Sequence, residues 1–266
     1  MNKIIINIFW TGGWDSTFRI LDLLILKEKI VQPIYIIDSN RNSTKCEISA
    51  MTKIKQKLYE QHPKTKNLIL PTIFREIHDI QMNNTITTSF QNILKSKFLG
   101  DQYEYLARFS AESKLAPIEL CVHKDDVAHD ILAPYILKIE RDSDPYFKIN
   151  DIFKKTWEYS IFKYFNFPIF NISKLEMDAI AKENNFGNLM EMTWFCHNPH
   201  SDGTPCGLCS PCGYAMMEGL GRRIPYLRRT KNYITYFKPK KYFIGFIQKD
   251  PTIFNSIKKL FHFTYR

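Results

Sequence analysis

The first 59 residues alternate between strand-like and helix-like segments, and this alternation limits the fold more than any other feature of the sequence. Residues 3–10 are rich in β-branched and aromatic side chains and apolar on both faces, which is typical of a strand covered on both sides. Helix-like sequence begins at Asp15, a second apolar strand spans residues 33–38, and a Lys-rich helix spans residues 48–59. This order predicts an α/β protein with a doubly wound parallel sheet.

A glycine turn, Thr11–Trp14, joins the first strand to the first helix. Parallel sheets bind ligands at the carboxyl ends of their strands, where this turn and Asp38 both lie. Glycines let the backbone approach an anion, and the amides and dipole of the following helix favour negative charge. The groups that could serve a phosphate here are the hydroxyls of Thr11, Ser16 and Thr17, with Asp15 helping to hold Mg²⁺. The alternative is a plain strand-to-helix turn, and neither the Walker A motif nor the dinucleotide fingerprint is matched.

The sequence beyond residue 70 predicts three further elements. They are a helix over residues 102–115 with Tyr105, Leu106 and Phe109 turned inward, a strand over residues 117–123, and a helix over residues 175–184. Ser173 begins the last helix, and Glu176 has the spacing of a capping box. Asp125, Asp126 and Asp130 could bind Mg²⁺ or substrate, although acids in a polar loop are usually solvated.

Four cysteines cluster within seventeen residues near the carboxyl-terminal end. They are Cys196, Cys206, Cys209 and Cys212, whereas Cys46 and Cys121 stand alone. Four thiolates at this spacing fill a tetrahedral Zn²⁺ site and leave no position for substrate, so we expect a structural zinc. His197 or His200 could replace one thiolate, and four reduced or redox-active cysteines are the alternative to a metal.

The positive charge of the chain is local. Residues 222–266 contain twelve of the 37 Lys and Arg residues and one of the 27 acids, so this tail is +11 and the remainder is −1. Its cations alternate with aromatic rings, a pattern that suits binding to a nucleic acid. Alternatively, the rings could pack onto the domain, or the charges could bind an acidic protein. No apolar run approaches the roughly 20 residues of a membrane span. With no cleavage site at the start, we expect a cytoplasmic protein without membrane contact.

Two motifs resemble known families. Residues 11–17 resemble the Ser-Gly-Gly-x-Asp-Ser PP-loop of the ATP pyrophosphatases, the adenine nucleotide alpha hydrolase-like superfamily, with Thr11 in the serine position. Residues 193–198 and 205–213 are similar to the carboxy-terminal zinc motif of 7-cyano-7-deazaguanine synthases, a PP-loop branch. Asp38, Arg41 and Glu47 resemble that family's segment after the second strand, and residues 173–176 its Lys-containing helix start.

The resemblance implies a Rossmann-like PP-loop fold with ATP, Mg²⁺ and Zn²⁺. It implies that Asp15, Ser16 and Lys174 are catalytic and that Thr11, Gly12, Gly13, Asp15, Ser16, Thr17 and Asp38 bind ATP. It also implies that Arg41 and Glu47 bind substrate and that the four cysteines bind zinc. The family's Gly-Arg-Asn and Asp-Cys-Arg runs are missing. The nearest stretches are residues 103–109, where Arg108 could stand in, and residues 123–130, so Arg108 joins the expected substrate-binding residues.

The domain division that follows has three parts. Residues 1–190 form the ATP-binding α/β domain, residues 191–221 the zinc-binding region, and residues 222–266 a basic, aromatic extension. The implied activity is ATP-dependent conversion of 7-carboxy-7-deazaguanine and ammonia to the nitrile, in the pathway to queuosine, by an enzyme expected to be a homodimer. The alternatives are a divergent paralogue that activates another carboxylate, a PP-loop enzyme that modifies tRNA, and a nucleotide-binding scaffold without activity.

Overall fold

The computed structural model describes residues 4–141 and 144–232 and has an α/β architecture. Its strands are β1 (Ile5–Phe9), β2 (Ile30–Ile37), β3 (Ile73–Glu76), β4 (Ile118–Glu119), β5 (Ile136–Ile139), β6 (Tyr146–Ile149) and β7 (Phe165–Asn166). Five of them form a parallel sheet in the order β3-β2-β1-β4-β7, and β5 and β6 form an antiparallel pair. The chain therefore leaves β1 toward β2 and β3 on one side and later fills the other side.

The α-helices of the described residues follow the strands in chain order. They are α1 (Trp14–Leu21), α2 (Thr44–Gln61), α3 (Asn84–Leu94), α4 (Gln102–Glu112), α5 (Val127–Leu132), α6 (Trp157–Phe162), α7 (Lys174–Glu183), α8 (Gly187–Met190), α9 (Ser210–Met217) and α10 (Tyr226–Asn232). Helix α1 continues into one π-helical turn, Asp22–Leu26. Short 3₁₀ turns lie at Pro63–Asn67, Ile77–Asp79, Ala133–Tyr135, Asp151–Phe153 and Gly221–Arg223.

The central strands are apolar on both faces because helices cover both faces of the sheet. Phe9 pairs with Ile34, and both belong to the core that includes residues of α3, α4 and α6. On the opposite face, the indole N–H of Trp10 donates to the Thr17 hydroxyl of α1 at 2.8 Å. Tyr35, on that same face, donates to α2. The predicted α/β class and parallel sheet are thus confirmed.

Sequence patterns located several elements and misplaced the ends of others. The helix begun by Ser173 is confirmed with its capping box: the Glu176 N–H donates to the Ser173 hydroxyl at 3.3 Å and the Ser173 N–H donates to the Glu176 carboxylate at 2.7 Å. The strand predicted over residues 117–123 has only Ile118–Glu119 in the ladder. Helix α4 ends at Glu112, and Tyr103 is buried more deeply than the predicted Tyr105.

The chain separates into two compact units, Met1–Trp194 and Phe195–Arg266. The first contains the sheet and helices α1 to α8, and the second contains the four clustered cysteines, α9 and α10. Residues 233–266, most of the predicted basic extension, lie outside the described residues, so the nucleic-acid and acidic-protein partners stay predictions. None of the described helices is long and apolar enough to cross a membrane.

Candidate functional site

The turn after β1 requires a glycine at position 12. Gly12 has a φ of +69°, and a Cβ at this position would lie 2.9 Å from the Glu47 carbonyl oxygen and 3.1 Å from Cγ of Met51. Its own carbonyl accepts a hydrogen bond of 2.8 Å from the Trp194 N–H. The turn is therefore held closely against α2, which a side chain at position 12 would push away.

The glycine turn leads directly into the amino-terminal end of α1. Gly13 is the N-cap residue, and as a glycine it has no side chain that could cap the first turn of the helix. The first backbone hydrogen bond of the helix runs from the Thr17 N–H to the Gly13 carbonyl at 3.1 Å. The N–H groups of Asp15 and Ser16 precede it and have no acceptor within the helix. These backbone N–H donors and the positive end of the helix dipole lie together, and both favour an anion at this position.

Two nitrogen-bearing side chains flank Asp15, the acid in the first turn of α1. Lys174 Nζ and His123 Nε2 each lie 3.9 Å from Oδ2 of Asp15. Lys174 is the first residue of α7, and His123 follows β4. Oδ1 of Asp15 is buried and has no hydrogen-bond partner among the described residues. A buried carboxylate oxygen of this kind is a candidate ligand for a cation such as Mg²⁺.

The loop after β4 adds Asp126, one of the three acids considered above as ligands of Mg²⁺ or substrate, and His123, to which the sequence analysis assigned no role. The Asp125 N–H donates to His123 Nδ1 at 3.2 Å. Asp126 caps α5 by accepting the Ala128 N–H at 2.9 Å. Burial raises the pKa of Asp126, and the charge of Asp15 adds to this, although the Ala128 N–H, His123 and Lys174 oppose it. For His123, its position after a strand of the parallel sheet was the signal that could have identified it.

The predicted phosphate-binding hydroxyls differ in their surroundings. Thr11 is exposed and Ser16 is half-buried. Thr17 is fully buried, its hydroxyl accepts the Trp10 indole N–H, and its N–H belongs to the backbone ladder of α1. Thr17 therefore fastens α1 to the sheet in this structure, and its contact with phosphate stays a prediction.

The loop after β2 holds Asp38, Arg41 and Glu47 in internal contacts. Asp38 accepts the Asn40 N–H at 3.0 Å and remains half-exposed. Arg41 lies 3.3 Å from Glu47, whose two carboxylate oxygens also accept the hydroxyls of Tyr35 at 2.8 Å and Ser43 at 2.6 Å. Burial raises the pKa of Tyr35, and the charge of Glu47 and the hydrogen bond from Tyr35 to Glu47 raise it further.

Tyr105 faces the same charged group, a relationship that the sequence did not indicate. Burial raises the pKa of Tyr105 to about 12, and the charges of Asp38 and Glu47 act in the same direction against that of Arg41. A phenol beside a half-exposed Arg and Asp offers both a flat ring and a hydrogen-bonding group. These residues form a polar edge that could contact a planar substrate.

Arg108 is committed to contacts within the fold. Its Nε donates to Glu104 at 2.9 Å, and its Nη1 donates to the carbonyls of Ile80 and Gln81 at 2.9 and 3.2 Å. These bonds fasten α4 to the segment that follows β3. A substrate-binding role for Arg108 remains a prediction that would need some of these donors to be released.

In the second unit, the four clustered cysteines converge on one point. Their Sγ atoms all lie within 4.8 Å of one another, and three of the pairs are 3.5, 3.8 and 3.9 Å apart. Zn–S bonds of about 2.3 Å in a tetrahedron place sulfur atoms about 3.8 Å apart. The cluster could therefore hold a metal ion such as zinc.

The backbone around the cysteines is also arranged for thiolates. The N–H groups of Leu208 and Cys209 donate to Cys206 Sγ at 3.3 Å, and the Cys206 N–H donates to Cys196 Sγ at 3.2 Å. Gly207, between the bonded residues, has a φ of +76°. Arg228 of α10 donates to the Thr204 hydroxyl and, at 2.8 Å, to the Pro205 carbonyl. This loop is thus shaped by backbone donors, a glycine and one arginine.

Comparison with protein-family models and with curated proteins finds no match to this chain. The motifs of the sequence and the geometry around Asp15 and the four cysteines are therefore the guides to function.

Proposed function

We propose that this protein is an ATP-dependent synthase that activates a carboxylate as an adenylate and converts it with ammonia to an amide and then a nitrile. The proposed substrate is 7-carboxy-7-deazaguanine. The observation that carries the proposal is the uncapped start of α1 behind Gly12 and Gly13, with Lys174 and His123 both 3.9 Å from Asp15. Phosphate chemistry needs donors, cations and a carboxylate for Mg²⁺ at one point, and this arrangement supplies all three.

The residues of the chain would divide the work of holding Mg·ATP. The N–H groups of Asp15 and Ser16 would donate to phosphate oxygens, and Lys174 would neutralise their charge. Oδ1 of Asp15 would hold Mg²⁺. ATP would supply the leaving group: the carboxylate would displace pyrophosphate to form an acyl adenylate, and ammonia would then displace AMP and lose a proton to give the amide. The amide oxygen would displace pyrophosphate from a second ATP, and departure of AMP with that oxygen, together with loss of both N–H protons, would give the nitrile. The enzyme contributes positioning and charge neutralisation to these steps.

Zinc on the four cysteines would have a structural function under this proposal. Four thiolates fill a tetrahedral coordination sphere, so no position is left for a substrate or an activated water. The metal would instead hold the segment from Cys196 to Cys212 in its folded form. The donor set fits zinc because soft thiolate ligands prefer it to the hard cation expected at Asp15.

The proposal is tested by mass spectrometry of zinc-loaded protein incubated with Mg·ATP, ammonium and 7-carboxy-7-deazaguanine. We expect AMP and the nitrile to form together. Asp15→Asn is expected to bind ATP and lose turnover, whereas Asp101→Asn, at an exposed N-cap without a side-chain hydrogen bond, is the matched control and keeps full activity. Absence of both products, in protein that binds ATP, would exclude this substrate.

One observation favours a second candidate, a paralogue that activates a different carboxylate. Both oxygens of Glu47 and two nitrogens of Arg108 are engaged within the fold, so two of the expected substrate-binding side chains are occupied. Pyrophosphate-dependent exchange of label into ATP, measured with a panel of carboxylates, distinguishes the two. Exchange with other carboxylates and none with 7-carboxy-7-deazaguanine supports the paralogue.

A further inference from the structure

We infer that His123 is a further phosphate-binding residue of this site, donating through Nε2–H to the pyrophosphate portion of ATP. The inference rests on the proposed function, since it assigns a residue to the same nucleotide site. No motif of the sequence assigned His123 to the site. Its location, ring orientation and burial carry the argument.

His123 reaches the amino-terminal end of α1 from a separate segment of the chain. The residue follows β4, the strand that pairs with β1, and its Nε2 reaches to 3.9 Å from Oδ2 of Asp15. Lys174 approaches the same oxygen at the same distance from α7. Three separate segments of chain therefore deliver one carboxylate and two nitrogen groups to the amino-terminal end of α1.

The backbone of the following residues fixes the ring and its proton. The Asp125 N–H donates to Nδ1 at 3.2 Å, which makes Nδ1 an acceptor. In the neutral imidazole, the proton is therefore on Nε2, the nitrogen that faces Asp15. The Asp126 N–H donates to the His123 carbonyl at 3.0 Å, so the loop folds back on the residue it orients. His123 is thus a hydrogen-bond donor toward the site through Nε2.

Burial restricts the orientation of this donor. The side chain of His123 is 4% exposed, whereas that of Asp15 is 26% exposed. A donor held in a buried ring loses little conformational freedom when an anion arrives. Hydrogen bonds from such a donor to a charged oxygen are stronger than those between neutral groups. A phosphate bound at the start of α1 would therefore have donors from the helix backbone and from His123.

The test measures binding of inorganic pyrophosphate and of AMP to the zinc-loaded protein by titration calorimetry, without added Mg²⁺ and again with Mg²⁺. We expect His123→Leu to weaken pyrophosphate binding about tenfold or more without Mg²⁺, the effect of one charge-assisted hydrogen bond, with AMP affinity unchanged. His123→Gln, which returns an N–H donor near the position of Nε2, is expected to restore most of the affinity. His78→Gln, at a histidine with a 68% exposed side chain, is the matched control.

The outcomes separate this inference from the proposed function. Equal pyrophosphate affinity in wild type and His123→Leu overturns the phosphate contact and leaves the proposed function standing. An equal loss of pyrophosphate and AMP affinity also overturns it, because it indicates a collapsed loop. A wild-type protein that binds neither ATP nor pyrophosphate overturns the proposed function and this inference together.

Discussion

Arg19 of α1 and Glu119 of β4 form two parallel hydrogen bonds of 2.8 Å each across 100 residues of sequence. The other side of the Arg19 guanidinium donates to both oxygens of Asp144 at 2.7 Å. Arg19 lies one helical turn after Asp15 and therefore on the same side of α1, and Glu119 lies four residues before His123. The buried pair thus sets the position of α1 against the strand whose following loop completes the candidate site.

Removal of Asp144 is expected to destabilise the fold. Asp144 is 7% exposed and pairs with Arg19 and Lys27 at 2.7 and 2.8 Å. Asp144→Asn leaves the buried guanidinium with Glu119 and Asp22 as its carboxylate partners and removes its two shortest hydrogen bonds to a charged group. We therefore expect a loss of about 2–4 kcal/mol in the free energy of unfolding. Urea unfolding measures it. Glu140→Gln, at a carboxylate with a 71% exposed side chain, is expected to change stability by under about 0.5 kcal/mol. Equal effects of the two variants would contradict the prediction.

The same network predicts how stability depends on pH. Burial alone would raise the pKa of Asp144, but the hydrogen bonds and charges of Arg19 and Lys27 outweigh it and lower the pKa well below its usual value of 3.8. A carboxyl group of this kind stabilises the fold above its unfolded pKa, and the contribution is lost as the pH falls below about 4. The difference in stability between wild type and Asp144→Asn should shrink between pH 5 and pH 3, measured by urea unfolding. A difference that stays constant would be inconsistent with this pKa.

Local patterns were sufficient to predict the elements that carry the candidate site. The glycine turn, the helix after it, β2 and the start of α7 at Ser173 each have their signal within a few neighbouring residues. The four cysteines are also a local pattern, because their spacing alone brings the sulfur atoms together. In these cases, the residues that determine the local structure are neighbours in the sequence.

Contacts between distant segments could not be predicted in the same way. The partners of Arg19 lie 100 and 125 residues away, and no local feature marks an arginine in α1 as buried. Strand β7 has two paired residues, too few for an alternating pattern. The covering of the Thr17 hydroxyl by Trp10 depends on how α1 packs on the sheet. Tertiary packing decides each of these, and it overrides residue preference.

Gly12→Ala is expected to disturb both stability and anion binding. The new Cβ would meet the Glu47 carbonyl oxygen at 2.9 Å in a backbone conformation that favours glycine. We expect a loss of about 1–3 kcal/mol in unfolding free energy and a weaker affinity for pyrophosphate, measured by urea unfolding and calorimetry. Gly213→Ala has no atom within 4 Å of its Cβ and should be neutral or slightly stabilising. A Gly12→Ala protein as stable as wild type would show that the turn tolerates a side chain.

Asp126→Asn is expected to stabilise the protein at neutral pH. Burial raises the pKa of Asp126, so its ionised form costs stability once the pH exceeds the unfolded value of 3.8. Asn can still cap α5 by accepting the Ala128 N–H and carries no charge. The gain should be present at pH 7 and vanish as the pH falls toward 4, measured by urea unfolding across this range. A loss of stability at pH 7 would mean that the charge of Asp126 is favourable in the fold.

Removal of metal is expected to unfold the segment around the four cysteines and leave the sheet intact. Their sulfur atoms lie within 4.8 Å of one another, and without a cation the thiolates repel each other. Chelation should therefore speed amide hydrogen exchange in peptides from residues 196–217 and leave peptides from residues 5–37 unchanged. We expect about one zinc per chain in wild type and in Cys46→Ser, whose cysteine lies outside the cluster, and a strong loss in Cys209→Ser. Undiminished zinc in Cys209→Ser, or exchange that is unaffected by chelation, would show that the cluster is not a structural metal site.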